Sequence, residues 1–225
     1  MSSLQRQGFE IIPQFIPEKT ILELGVSLDE VSLTRSRAGI RNALQVAAVR
    51  SLATDEKLVN LARHALGDHA IPFRATLFDK SADSNWLVVW HQDTALPLRK
   101  RKDVAGWGPW SMKEGVLCAH APASALEHVL TIRVHLDDSN DENGSLRVLP
   151  GSHTTGVLSD DAIHDLSVKT PAVDCYVPSG GILLMRPLIV HASSKAKTKN
   201  ARRRVLHIEY APSLKMSNEL ELQIC

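Results

Sequence analysis

The chain has 225 residues, 44% of them apolar and 23% charged, with 26 basic side chains against 25 acidic and a formal charge of +1. That length and apolar content support one domain with a sizeable core, and the near-neutral balance offers no general field for nucleic acid or a membrane surface. Three widely spaced cysteines, Cys118, Cys175 and Cys225, form no CxxC pair, which argues against a disulfide framework or a zinc site and fits a reducing compartment.

No long apolar stretch opens the chain, and no apolar run approaches the ~20 residues that span a bilayer. A cytoplasmic location without membrane contact is therefore the expectation. From the N-terminus, Gly8 to Ile16 is strand-like and is broken at Pro13 and Pro17. Pro17-Glu18-Lys19 then opens a helix that carries Ile21, Leu22, Leu24, Val26 and Leu28. A second helical region covers Leu44 to Leu66, with Leu44, Ala47, Ala48 and Leu52 at helical spacing. Within it Asp55 caps a helix that stops at Gly67.

After Gly67 the texture changes to short strands. Phe73–Phe78, Trp86–His91, Val129–Leu136, Leu146–Leu149, Val173–Val177, Gly181–Met185, Leu188–Val190 and Val205–Tyr210 are apolar, β-branched or alternating. Asn143-Gly144, Pro150-Gly151 and Ser179-Gly180-Gly181 punctuate them as turns. The pattern predicts an α+β, mainly β protein with a helical part at about 17–67 and a β core at about 71–212, a sandwich or barrel. Residues 94–117 lack periodicity and hold Trp107 and Trp110, so they are expected to form a lid-like loop facing the substrate. Those two rings either stack on a substrate or plug the open end of the core.

His91-Gln92-Asp93 is the most informative motif. At i and i+2 on a strand, His91 and Asp93 point to the same face. With His191, brought back only by folding, they supply two imidazoles and a carboxylate. Non-haem Fe(II) oxygenases use that three-ligand face. Gln92, between two of the ligands, is a further candidate to meet substrate.

Trp90-His91-Gln92-Asp93, Asn143-Gly144-Ser145-Leu146, Pro150-Gly151-Ser152-His153 and His191-Ala192-Ser193 stand in that order, followed by arginines before a strand ending at Tyr210. In this the chain resembles the phytanoyl-CoA dioxygenase family from about Gly8 to Pro212. The resemblance implies a double-stranded β-helix, a cupin-like jelly roll, with flanking helices on one sheet and one oxygenase domain over residues 1–225. It implies Fe(II) held by His91, Asp93 and His191. It also implies that 2-oxoglutarate and O2 are consumed, that succinate and CO2 are released, and that a small molecule is hydroxylated. Related halogenases place Gly or Ala at the carboxylate position, so Asp93 favours hydroxylation.

The family also pairs an arginine with the distal carboxylate of 2-oxoglutarate, a task suited to the planar guanidinium fork. Counting back from Tyr210 favours Arg203, and counting on from His191 favours Arg202; alternation lets only one of them face inward. Ser193 matches a position near the cosubstrate or is a turn serine. Thr131 and Arg133 share a strand face with His135. Arg133 stands where many relatives carry Trp, and it either reads an anionic group or pairs with Asp137, Asp138 or Glu209. His153 is expected to make a structural hydrogen bond, Gly181 to be structural, and Lys195, Lys197 and Lys199 to form a solvated loop. The competing reading is a cupin-like metal-binding protein with isomerase or sensor function, which would lack an arginine clamp inside the barrel.

Overall fold

The structure, a computed structural model, describes residues 2–31, 35–36, 39–81, 84–198 and 202–225. Helices α1 (Ser3–Gln7), α2 (Glu18–Asp29), α3 (Ala47–Ala53) and α4 (Glu56–Leu66) precede most of the strands, and α5 (Ala123–Leu126) and α6 (Asp160–Lys169) are inserted later. The strands are β1 (Phe9–Ile12), β2 (Arg35–Ser36), β3 (Gly39–Ile40), β4 (Ile71–Lys80), β5 (Val88–His91), β6 (Ala95–Pro97), β7 (Trp110–Lys113), β8 (Val116–His120), β9 (Leu130–His135), β10 (Leu146–Val148), β11 (Val173–Cys175), β12 (Ile182–Met185), β13 (His191–Ser193) and β14 (Arg203–Ala211).

They form a seven-stranded sheet in the order β1-β12-β9-β14-β4-β3-β2 and a four-stranded sheet in the order β11-β10-β13-β5. A small sheet, β6-β8-β7, stands beside them. The pairings are antiparallel. The two larger sheets face one another as a jelly roll.

Alternation along the strands sorts the side chains of the large sheet. On β4, β9 and β14 the side chains of Ala75, Leu77, Ile132, Val134, Leu206, Ile208 and Tyr210 join Ile21, Leu24, Leu28, Val49, Leu52 and Leu58 of the helices in one apolar core. The expected helical cover on one sheet is thus present. Tyr210 Oη donates to the Ala53 carbonyl at 2.9 Å, fixing α3 to the sheet. Asp55 caps α4 through the backbone N–H of Lys57, which divides the helical region 44–66 into α3 and α4.

Two expectations are corrected. Residues 94–117 are not without structure: the ends of the segment form β6, β7 and the start of β8, and the irregular part lies between Leu98 and Pro109. The backbone there pairs with the chain's own distal residues, as in Leu98 with Leu222, so tertiary contacts supply the order that periodicity did not reveal. Leu188–Val190 is a buried turn rather than a strand, with Ile189 N–H bonded to the Arg186 carbonyl. Apolarity there reflects burial, which a turn under the core needs as much as a strand does.

Candidate metal centre and its two chambers

His91 ends β5, His191 begins β13, and the two are directly opposite in the antiparallel register. Asp93 follows two residues after His91, its backbone N–H held by the Pro187 carbonyl at 3.0 Å. One nitrogen of each imidazole and one carboxylate oxygen therefore fall within 4.8 Å of one another. Asp93 Oδ1 lies 3.7 Å from His91 Nε2, and Oδ2 lies 3.6 Å from His191 Nε2.

The backbone fixes the tautomers. His91 Nδ1 is 2.9 Å from the Val89 carbonyl and His191 Nδ1 is 2.9 Å from the Ile189 carbonyl. Each Nδ1–H is thus donated two residues back, and each Nε2 lone pair is turned into the site. Burial pulls the His191 pKa down to about 4, so this imidazole is neutral, as a metal ligand must be. Burial disfavours a charge on Asp93, but His191 and His91 outweigh it and hold the carboxyl well below its usual range. Burial likewise opposes a charge on His91, and Asp93 raises its pKa. The donor set fits a divalent ion of the N2O type.

Other motif residues hold this geometry from behind. Ser152 Oγ accepts from Val190 N–H at 2.8 Å and donates to the Leu149 carbonyl at 2.7 Å, clamping the residue before His191. Gln92 turns away. Its amide nitrogen donates to the Gly156 and Leu188 carbonyls, and its oxygen accepts from Leu158 N–H. These three bonds use the Gln92 amide to pin the strand end, and the residue also borders the larger chamber described below. His153 Nε2 is 3.3 Å from the Gln5 carbonyl.

A smaller chamber of about 100 Å3 opens on His91, Asp93 and His191 and is lined by Lys80, Arg133, Ser193 and Arg203. Arg203 is 3% exposed. Its Nε donates to the Asn143 carbonyl at 3.2 Å and its Nη2 to Ser193 Oγ at 3.4 Å, while Nη1 has no partner. Ser193 Oγ in turn donates to the Gly144 carbonyl. Gly144 sits at φ +70°, where a Cβ would lie 2.3 Å from the Ser194 carbonyl oxygen; glycine is what lets this turn approach.

Alternation decides between the arginines. Arg202 points outward to Asp79 and Asp29, with Nη2 2.9 Å from a carboxylate oxygen of each. The cosubstrate role considered for Arg202 is corrected accordingly. Arg204 also points outward, to Asp137.

Arg133 makes no ion pair with Asp137, Asp138 or Glu209. Its Nη1 donates to His207 Nδ1 at 3.0 Å, its Nε is unpartnered, and it lies over the Phe78 ring. Thr131 is fully buried with its hydroxyl unpartnered, and it does not line either chamber described here. Sequence reasoning missed Lys80. Its Nζ donates to Ser193 Oγ at 2.7 Å and to the Ser194 carbonyl, and burial first, then Arg203 and Arg133, pulls its pKa down to about 7. Burial, reinforced by Arg133, lowers Arg203 to about 9. Three buried cations with no carboxylate but Asp93 between them form a cradle for an anion.

A larger chamber of about 330 Å3 adjoins the same metal-ligand cluster and is lined by Arg74, Phe78, Asp93, Val116, His207 and Glu209 among others. Trp107 and Trp110 do not line it. Both pack on the satellite core of Phe73, Leu96, Leu98 and Ala119, and Trp110 also lies under the Arg101 guanidinium. Each ring is half-buried against that satellite core, and neither borders the metal-ligand cluster. Lys195 and Lys197 are exposed, Lys197 beside Asp141 and Glu142, and Lys199 lies outside the described residues. The three cysteines are free and buried, and no helix among the described residues is long and apolar enough to cross a membrane.

Comparison with known proteins carries the fold and the family. L-proline trans-4-hydroxylase of Streptomyces griseoviridis is 28% identical, over 68% of this chain and 59% of that one, so the chain spans less than two thirds of that relative's length. SnoK, a non-heme alpha ketoglutarate dependent carbocyclase from nogalamycin biosynthesis, superposes with a TM-score of 0.71 at 17% identity, over 98% of this chain and 84% of its own. HygX from Streptomyces hygroscopicus, solved with nickel and 2-oxoglutarate bound, gives 0.67 at 17% identity, over 93% and 84%. The phytanoyl-CoA dioxygenase family pattern matches residues 4–205, and with nearly the whole chain covered the protein belongs to that family.

Proposed function

We propose that this protein is an Fe(II)- and 2-oxoglutarate-dependent dioxygenase that hydroxylates a small molecule, with residues 1–225 acting as one domain. The observation that carries the reading is the convergence of His91, Asp93 and His191 within 4.8 Å at the meeting of two chambers, one of them lined by unpaired buried cations. Three free, buried cysteines are in keeping with a reducing, cytoplasmic setting. SnoK and HygX, by their descriptions, use or bind the same cosubstrate.

His91, Asp93 and His191 would hold Fe(II), and their backbone-fixed tautomers keep both Nε2 lone pairs available. Bound Fe(II) supplies the oxidative chemistry in which 2-oxoglutarate and O2 are converted to succinate and CO2 as the substrate is hydroxylated. The smaller chamber takes the cosubstrate. Arg203, with Nη1 unpartnered, offers its fork to the distal carboxylate, while Ser193 orders that fork and Lys80 adds a second cation. Arg133 adds a third and is oriented by His207. The larger chamber takes the substrate; it shares Phe78, His91, Asp93 and His207 with the smaller one, while Arg203 and Ser193 line the smaller one alone. An arginine inside the barrel favours this reading over a non-oxidative cupin-like protein.

The test is catalytic. Protein reconstituted with Fe(II) and supplied with 2-oxoglutarate in air should form succinate slowly even without substrate, and a His91→Ala variant should not. Equal succinate from both proteins would remove the assignment.

A further inference from the structure

The substrate itself carries a carboxylate, we propose, and Arg74 on the wall of the larger chamber anchors it. This rests on the oxygenase reading, because it assigns that chamber to substrate.

Alternation on β4 turns Arg74 inward with Thr76 and Phe78, into the chamber that contains His91 and Asp93. Glu209 is directly opposite it on β14. Arg74 Nε and Nη2 both donate to the Glu209 carboxylate, with Nη2 2.6 Å from Oε1. The Glu209 side chain is 2% exposed and that of Arg74 is 20% exposed. The acid is sealed beneath the base, and the guanidinium shows its free end to the chamber. That end keeps both Nη1 protons and one Nη2 proton, enough to grip a second carboxylate with two parallel hydrogen bonds.

A buried ion pair is a weak device for stability, since an apolar pair of like volume serves as well. It does fix direction. Glu209 holds the planar guanidinium in one orientation before any ligand arrives, so less ordering is lost on binding. Glu209 is therefore a positioning residue and Arg74 a specificity residue.

The balance of charge on the walls points the same way. The other cations at this chamber are Arg41 and Lys113, and Arg41 is paired with Glu114. Besides Glu209 the acidic side chain in the lining is Asp93, which belongs to the metal-ligand cluster; Cys225 also lines the chamber and acts electrostatically on Arg74. Asp93 acts electrostatically on both Arg74 and Glu209, so the anchor lies within the field of that cluster. Ala95, Pro97 and Val116 give the chamber an apolar side. A molecule with an acid group at one end and an apolar body fits these walls.

The experiment uses benzoate and its neutral isostere benzamide. The full chain is loaded with Zn(II) as a diamagnetic metal and saturated with 2-oxoglutarate, and the arginine Nε–H resonances are followed. The Arg74 signal is identified by its loss in Arg74→Lys. Benzoate should bind about ten-fold or more tightly than benzamide, as expected for a charge-assisted bond, and should shift the Arg74 resonance. The preference should vanish in Arg74→Gln and weaken in Glu209→Gln. Equal binding of the two probes, binding of neither, or a shift at Arg203 with Arg74 unmoved would overturn the proposal, and the first two are read on the wild-type protein alone. Failure of the oxygenase reading is separate: 2-oxoglutarate would then leave the Arg203 resonance unchanged before any probe is added.

Discussion

On β4, β9 and β14, Ala75, Leu77, Ile132, Val134, Leu206, Ile208 and Tyr210 point toward the helices, while Arg74, Thr76, Lys80, Thr131, Arg133, His135, Arg203, His207 and Glu209 lie on the opposite face. Both sets are largely buried. The first gains by leaving water, at about 25 cal/mol per Å2 of apolar surface. The second loses unless each polar group finds a partner. Arg203 Nη1, Arg133 Nε, Thr131 Oγ1 and both nitrogens of His135 have none. One face holds the fold together, and the other spends some of that stability to keep donors ready for a ligand.

Substitutions on the two faces should therefore separate stability from binding. The largest effect is expected at the junction of the two sheets. His191→Ala should leave a folded protein that no longer retains Fe(II) and makes no succinate, read by metal analysis and turnover. On the apolar face, Ile208→Ala should lower the unfolding free energy by about 2–5 kcal/mol, measured by denaturant titration, with the affinity for 2-oxoglutarate unchanged. On the polar face the pattern should reverse. Arg203→Met should weaken 2-oxoglutarate binding by about 1.5–3 kcal/mol in calorimetry with no loss of stability, because a buried unpaired charge has been removed. Arg202→Met, whose guanidinium is spent on Asp79 and Asp29 outside the barrel, should change neither quantity by more than about 1 kcal/mol.

The smallest effect is a pH dependence. Lys80 titrates near pH 7 in the folded protein, well below an unfolded lysine near 10.4. Between those values the unfolded chain binds more protons, so the ligand-free protein gains stability as pH rises through that window. An anionic cosubstrate restores the charge on Lys80. Its affinity should then fall as pH rises above about 7, by at most about ten-fold per unit for one proton. Calorimetry at several pH values should find the slope in the wild type and lose it in Lys80→Met.

Much of this division was legible in the chain. The shared face of His91 and Asp93 at i and i+2 follows from the period of a strand, and the preference for Arg203 comes from counting back from the strand that ends at Tyr210, since loops tolerate insertions better than strands. The helix cap at Asp55 follows from local chemistry. What was missed needed tertiary partners. Lys80 and Arg74 lie on the inward side of β4 at the same period as Phe78, so alternation could have flagged them, but only the approach of β13 and β14 turns them into site residues. Gln92 looked exposed to chemistry because of its neighbours, yet its partners are 64 to 96 residues away in sequence. Residues 94–117 lack a period because their strands are only three to five residues long, paired with one another around an irregular stretch that is tied to Leu222 near the far end of the chain.

The central claim is that His91, Asp93 and His191 bind a metal that 2-oxoglutarate then joins through the chamber of Arg203. The direct test is an anaerobic optical titration of the apo-protein with Fe(II) and then 2-oxoglutarate. Chelation of the metal by the 2-oxo acid should give a weak, saturable visible charge-transfer band in the wild type, displaced to higher cosubstrate concentration in Arg203→Met and absent in His91→Ala. Bound Fe(II) without any band on addition of 2-oxoglutarate would contradict the account.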